Sequence, residues 1–156
     1  MARLVIPRYP QVSLDLVLAG TFLHDIAKTA ELTYETSFGY TDGGQLVGHV
    51  VMAAIWIEHK AAAAAKALGK PFPNDVKCVL QHIVLAHHGQ YEFGSPKLPT
   101  VPEAIAIHHL DNLDAKLHQF LGKIEQHRDP QSHWTNYISA LGSKLFKPDV
   151  LHDRPK

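Results

Sequence analysis

Apolar residues return at helical spacing in four long stretches of this chain, and Gly69, Gly89 and Gly122 stand at the ends of the last three. No stretch alternates apolar with polar residues as a half-buried strand must. That pattern confines the chain to packed helices. Ser13 is a fair N-cap with Asp15 in the first turn behind it, and Leu14, Val17, Leu18, Phe22, Leu23 and Ile26 predict a helix to about Thr29. Residues 33–44, rich in Thr, Tyr, Gly and Asp, predict a loop. A second helix is predicted from Gln45 to Leu68, through the strong helix formers Ala61 to Ala65, with Gly69 ending it. After Pro71 and Pro73, Asn74 is placed to cap a third helix towards His87. Gly89 to Pro99 reads as irregular. Thr100 and Glu103 have capping-box spacing and open a long fourth helix through Leu121, with its end uncertain at Gly122. Asp129-Pro130 breaks the chain, and Trp134 to Leu145 predicts a short fifth helix. The fold class is all-α, a bundle of about five helices in one domain over residues 1–147, with residues 148–156 as a flexible tail.

A chain of 156 residues can bury a core without disulfides. The lone Cys78 forms no intrachain bridge, so a reducing, cytoplasmic setting is expected. Arg3, Arg8 and Asp15 interrupt any leader-like apolar start, and no run of roughly 18 apolar residues exists to span a membrane. Fifteen basic residues balance fifteen acidic ones. A net charge of zero gives no global pull on nucleic acid, so a phosphate ligand would need a local site.

Histidine is the anomaly, with twelve copies. His24 and Asp25 are adjacent within Leu23-His24-Asp25-Ile26-Ala27-Lys28, an apolar run that gives a polar pair no obvious reward except a divalent cation. His49 follows a Gly-rich approach, and His87-His88 closes the third helix just before a glycine. On the fourth helix His108, Asp111 and Asp114 recur every three residues and share a stripe. Ligands gathered from several helices are how a bundle builds a metal site. Lys28, one helical turn beyond His24, could neutralise a phosphate oxygen over the metals or simply face solvent. Asp114 could orient a ligand or pair with Lys116 or Arg128. Tyr91 and Phe93 could stack a base or pin their loop to the core. His59, His82, His118, His127, His133 and His152 read as structural or surface residues, and His109 could face either the core or the site.

Together with Gly48-His49, Ala86-His87-His88-Gly89-Gln90-Tyr91-Glu92-Phe93-Gly94-Ser95-Pro96 and Asp111-Asn112-Leu113-Asp114-Ala115-Lys116, these segments resemble the HD-domain metal-dependent phosphohydrolases. The likeness is closest to the HD domain of the YhaM-type 3′→5′ exoribonucleases, and Trp134 and Lys144-Leu145-Phe146 fit it too. The resemblance implies an HD helical bundle in which His24, Asp25 and Asp111 hold one metal. His49, His87 and His88 would hold or flank a second, with Asp25 bridging. Asp25 and Lys28 would be the catalytic groups, with His108, Asp114 and Tyr91 around them or on the substrate. One or two divalent ions are implied, Mn, Mg or Fe first, with Zn or Ni possible. The substrate would be a phosphate-containing small molecule or an RNA 3′ end.

The family's site opens with a further histidine on a preceding helix, and residues 1–23 contain none. The OB domain that precedes the HD domain in the exoribonucleases has no counterpart either. Either the sequence as given starts late, or this is a shortened homologue whose uncovered apolar groove would drive homo-oligomer formation. The alternative is a catalytically impaired remnant serving as a metal- or nucleotide-binding or oligomeric module.

Overall fold

A computed structural model describes residues 1–34, 37–127 and 131–148. The fold is all-α. Its helices are α1 (Ala2–Val5), α2 (Leu14–Leu23), α3 (Lys28–Glu31), α4 (Asp42–Val47), α5 (His49–Leu68), α6 (Asn74–Ala86) and α7 (Pro102–Gln126). The only paired strands among the described residues are β1 (Leu32–Thr33) and β2 (Gly39–Tyr40), antiparallel and two residues long. No described helix is long and apolar enough to cross a membrane. The chain divides into two compact units, residues 1–110 and 111–156.

In the first unit α6 is the central helix. Ile83 and Ala86 pack with Ile6, Val17, Ala104 and Ile107, while Leu80 and Val84 pack with Ala27, Ala53 and Ile57. Ile83 and Ile107 are wholly buried, and each such side chain contributes about 1.5–3 kcal/mol. Gly20 lets α2 approach this core, because a Cβ there would sit 2.8 Å from Ile83 Cγ2.

Several expected boundaries move. Ser13 does cap α2, its Oγ accepting from Leu16 N at 3.3 Å. The helix ends at Leu23, however, and residues 24–27 form tight turns bonded Ile26 N to Leu23 O and Lys28 N to Asp25 O. His24 and Lys28 therefore do not share one helix face, and Lys28 pairs with Asp25 instead. The second long helix begins at His49 because Gly48, at φ +76°, breaks it from α4. Asn74 is the first residue of α6 and makes no capping bond to its backbone. The capping box of Thr100 and Glu103 does not form. Glu103 is buried and accepts from Ser13 N at 2.8 Å, while Thr100 N donates to His82 Nε2 at 2.9 Å.

In the second unit α7 continues past Gly122 to Gln126. The helix expected over 134–145 is absent. Trp134 pairs with Phe146 and Ile138 with Ser143, around a tight turn at Ser139–Leu141 that closes on Gly142 at φ +63°. Cross-strand bonds from Thr135 N to Leu145 O and from Ile138 N to Ser143 O, both 2.9 Å, satisfy a backbone rich in aromatic and β-branched residues. Asp129-Pro130 and the tail from residue 149 lie outside the described residues.

Candidate metal centre

Five of the expected residues meet in the first unit: His24 and Asp25 from the turn after α2, His49 from the first position of α5, and His87-His88 from the end of α6. Asp25 is at their centre. Its Oδ1 lies 3.4 Å from His49 Nε2 and 3.7 Å from His87 Nε2, and its Oδ2 lies 3.6 Å from His24 Nε2. The His87 and His88 rings are 4.2 Å apart, His24 and His87 5.0 Å, and His49 and His88 5.4 Å. These separations are too long for hydrogen bonds. They suit neighbours on one ion, whose bonds of about 2.0–2.2 Å set ligand atoms some 3 Å or more apart.

The outer nitrogens are tied to the protein. His24 Nδ1 donates to Thr21 O at 2.8 Å and His87 Nδ1 to Val84 O at 2.7 Å. A carbonyl can only accept, so each Nδ1 carries the proton and each Nε2 keeps its lone pair for the centre. His49 reaches the same state through Glu31, whose carboxylate accepts from His49 Nδ1 at 3.0 Å and from His49 N at 2.9 Å. Among the described residues, the buried side-chain polar atoms without a hydrogen-bond partner are Asp25 Oδ1, His49 Nε2 and His88 Nδ1. An orphaned buried polar atom costs about 1–3 kcal/mol, so Asp25 Oδ1 and His49 Nε2, 3.4 Å apart, signal a missing common partner. Ligand atoms of His49, His87 and His88 lie within 4.8 Å of one another. Mixed imidazole and carboxylate donors suit a divalent first-row ion or magnesium, so these residues fit a metal.

Burial sets the proton affinities. It is the chief cause of His87's fall from 6.5 to about 4, reinforced by the neighbouring His88 and His24. His88 is lowered too, by burial first and then by His49. In Asp25 burial acts to raise the pKa, but the hydrogen bond from Lys28 and the charges of His24, Lys28 and His87 bring it below the ordinary carboxylate value. Glu31 is likewise lowered, since its bonds to His49 outweigh burial. The centre at neutral pH is thus an anionic carboxylate facing neutral His87 and His88.

One consequence is measurable without metal. Below pH 6.5 the unfolded chain protonates residue 87 while the folded chain refuses the proton until about pH 4, so stability falls with pH across that window. The shift corresponds to about 3 kcal/mol. Asp25 and Glu31 add their losses only lower, as pH falls through their depressed folded values. Urea unfolding of metal-free protein at pH 7, 5.5 and 4.5 should show the decline, and His87→Gln should flatten it. A wild-type midpoint that stays level over that range would contradict this account.

His108 Nδ1 donates to His87 O at 2.9 Å and so steadies the turn that carries the histidine pair. Tyr91 is exposed and lines a cavity of about 610 Å³ with Gln81, His82 and Lys97. Asp111 and Asp114 belong to the second unit, where Asp114 Oδ2 lies 3.5 Å from His118 Nδ1 on the surface. The residue missed by sequence reasoning is Glu31. A lone carboxylate eighteen positions before its histidine leaves no spacing signal. Burial at 7% exposure is what marks it out.

The HD-domain sequence model matches residues 1–116. The chain belongs to the HD-domain family. The chain is 37% identical over 153 residues to a 3′-5′ exoribonuclease YhaM of Bacillus pumilus, covering 98% of the chain and 46% of that relative. It is 38% identical to the Bacillus licheniformis protein of the same name and 35% identical to that of Bacillus subtilis, each over 152 residues. Those matches cover 97% of the chain and 46% of each relative, so the chain spans about half their length. No solved structure matches it significantly.

Proposed function

We propose that the chain is a metal-dependent phosphohydrolase that cleaves a phosphate ester of a nucleotide or of an RNA 3′ end, in a cytoplasmic setting. The observation that carries the reading is the convergence of ligand atoms of His49, His87 and His88 within 4.8 Å, beside the partnerless buried atoms Asp25 Oδ1 and His49 Nε2. His24, Asp25, His49, His87 and His88 would hold one or two divalent ions. A bound divalent ion supplies a Lewis acid for the phosphoryl oxygens and lowers the pKa of the attacking water. Asp25, anionic at neutral pH, holds the histidines' inner faces electronegative. Lys28 Nζ, 2.7 Å from Asp25 Oδ2 and partly exposed, offers its ammonium to a phosphoryl oxygen. The exoribonuclease name of the relatives supports RNA as the substrate class. Self-association through exposed apolar side chains such as Phe22 and Leu46 belongs to the same proposal, and sedimentation of the purified chain tests it.

Metal analysis of the purified chain, with hydrolysis of bis(p-nitrophenyl) phosphate and a short oligoribonucleotide in Mn²⁺, tests the reading. Stoichiometric metal and Mn²⁺-dependent turnover are expected. Metal without turnover would favour a binding module instead.

Glu31 acts on this centre through His49. A carboxylate behind a ligating imidazole fixes its tautomer and strengthens it as a donor, and losing one typically costs about 10–100-fold in metal affinity. Glu31→Gln should weaken Mn²⁺ binding within that range. Glu31→Ala should do so more severely, because His49 N also loses its acceptor. Equal affinity in wild type and Glu31→Gln would remove Glu31 from the centre.

A further inference from the structure

The second unit carries a cavity of about 970 Å³ that the metal centre does not use. Its walls are Gln126 and His127 at the end of α7 and Ser132, Trp134, Asn136 and Lys144 from the paired segments beyond. Trp134 keeps 52% of its surface open, a costly exposure for the largest apolar side chain. Looseness does not explain it. Ser132 Oγ donates to Trp134 O and accepts from Trp134 N, both at 3.1 Å. Lys147 N donates to His133 O at 2.9 Å, and Lys147 Nζ donates to His127 O at 3.0 Å, tying the segment to the helix end. Phe146 meets the indole edge to face at 5.1 Å and steadies it.

The lining matches one ligand chemistry. An open indole stacks on any flat heteroaromatic ring. The amide of Asn136 offers donors and an acceptor to a base edge, and that of Gln126 offers its donors, its Oε1 already accepting from Lys123 Nζ at 3.1 Å. Lys144 supplies a cation, and no carboxylate lines the cavity among the described residues. We propose that this cavity binds a nucleotide unit, an aromatic base with its phosphate, either as a free nucleotide or within an unpaired strand of nucleic acid. A peptide anion would use Lys144 but leave the indole and both amides idle.

Binding at this cavity is tested on the full chain in EDTA, where no turnover occurs. Fluorescence anisotropy with labelled decauridylate and calorimetric titration with UMP separate the two sources. Tighter binding of the decamer marks a strand site, and equal binding marks a free-nucleotide site. Trp134→Ala should weaken the preferred ligand about ten-fold or more, whereas Trp134→Phe, which retains a stacking face, should stay close to wild type. Lys144→Gln should reduce the slope of log affinity against log salt by about 0.7. Unchanged circular dichroism keeps folding out of the comparison. The proposal is overturned if neither ligand binds wild type at millimolar concentration, or if Trp134→Ala binds as well as wild type. Failure of the phosphohydrolase reading would appear separately, as absent Mn²⁺-dependent turnover in wild type.

Discussion

Asp25→Ala is expected to strip the purified chain of its divalent metal and to lower Mn²⁺-dependent phosphodiester hydrolysis by at least about 10²–10³-fold, the range seen when a principal electrostatic group is removed from an active site. The carboxylate is the one group of the centre within 4 Å of three imidazoles at once: His24, His49 and His87. Without it the centre offers neutral nitrogens alone, and a hard ion such as Mg²⁺ or Mn²⁺ loses its anionic oxygen. The fold should survive, because Asp25 is about a third exposed and its strongest contact is the ion pair with Lys28. Unchanged circular dichroism with lost metal is therefore the expected pair of results. Asp25→Ala protein that binds Mn²⁺ as tightly as wild type would remove Asp25 from the centre.

Gly89→Ala should produce the largest loss of stability from a single added methyl group. Gly89 stands at φ +81°, which costs an L-residue about 1–2 kcal/mol. A Cβ there would also run into the His108 ring, against its Cε1, Nδ1 and Nε2. The ring cannot swing away freely, since its Nδ1 donates to the carbonyl of His87. Overpacking of this kind adds about 1–3 kcal/mol, for a total of about 2–5. In a chain of this size that lowers the melting temperature by on the order of 10 °C. A double-mutant cycle with His108→Ala separates the two causes, because only the collision is relieved by the smaller partner. A loss below about 1 kcal/mol in Gly89→Ala would contradict the account. Because Gly89 follows the histidine pair directly, metal affinity should fall with stability.

Both residues show what was legible in the sequence. The doublet at His24-Asp25, the pair His87-His88 and the lone His49 were readable as candidate ligands because such groups have no reason to sit in apolar runs. The long helices followed from apolar periodicity and glycine stops. Where several side chains or backbone bonds compete for one position, sequence was a poor guide. Glu103 had capping-box spacing yet serves Ser13, ninety residues away. Trp134 to Leu145 had helical spacing yet pairs across a turn, since aromatic and β-branched residues before Gly142 suit extended backbone as well.

The sequence by itself determined the helical class, the family and the histidine and carboxylate supply of the centre, because these depend on local periodicity and on rare residue pairs. Only the tertiary structure decided which nitrogens face inward and what holds them there. That depends on groups distant in sequence: Glu31 behind His49, Val84 O behind His87, and His108 under the turn at Gly89. Such partners are chosen by burial, where each polar group must find a bond or leave a lone pair for an ion.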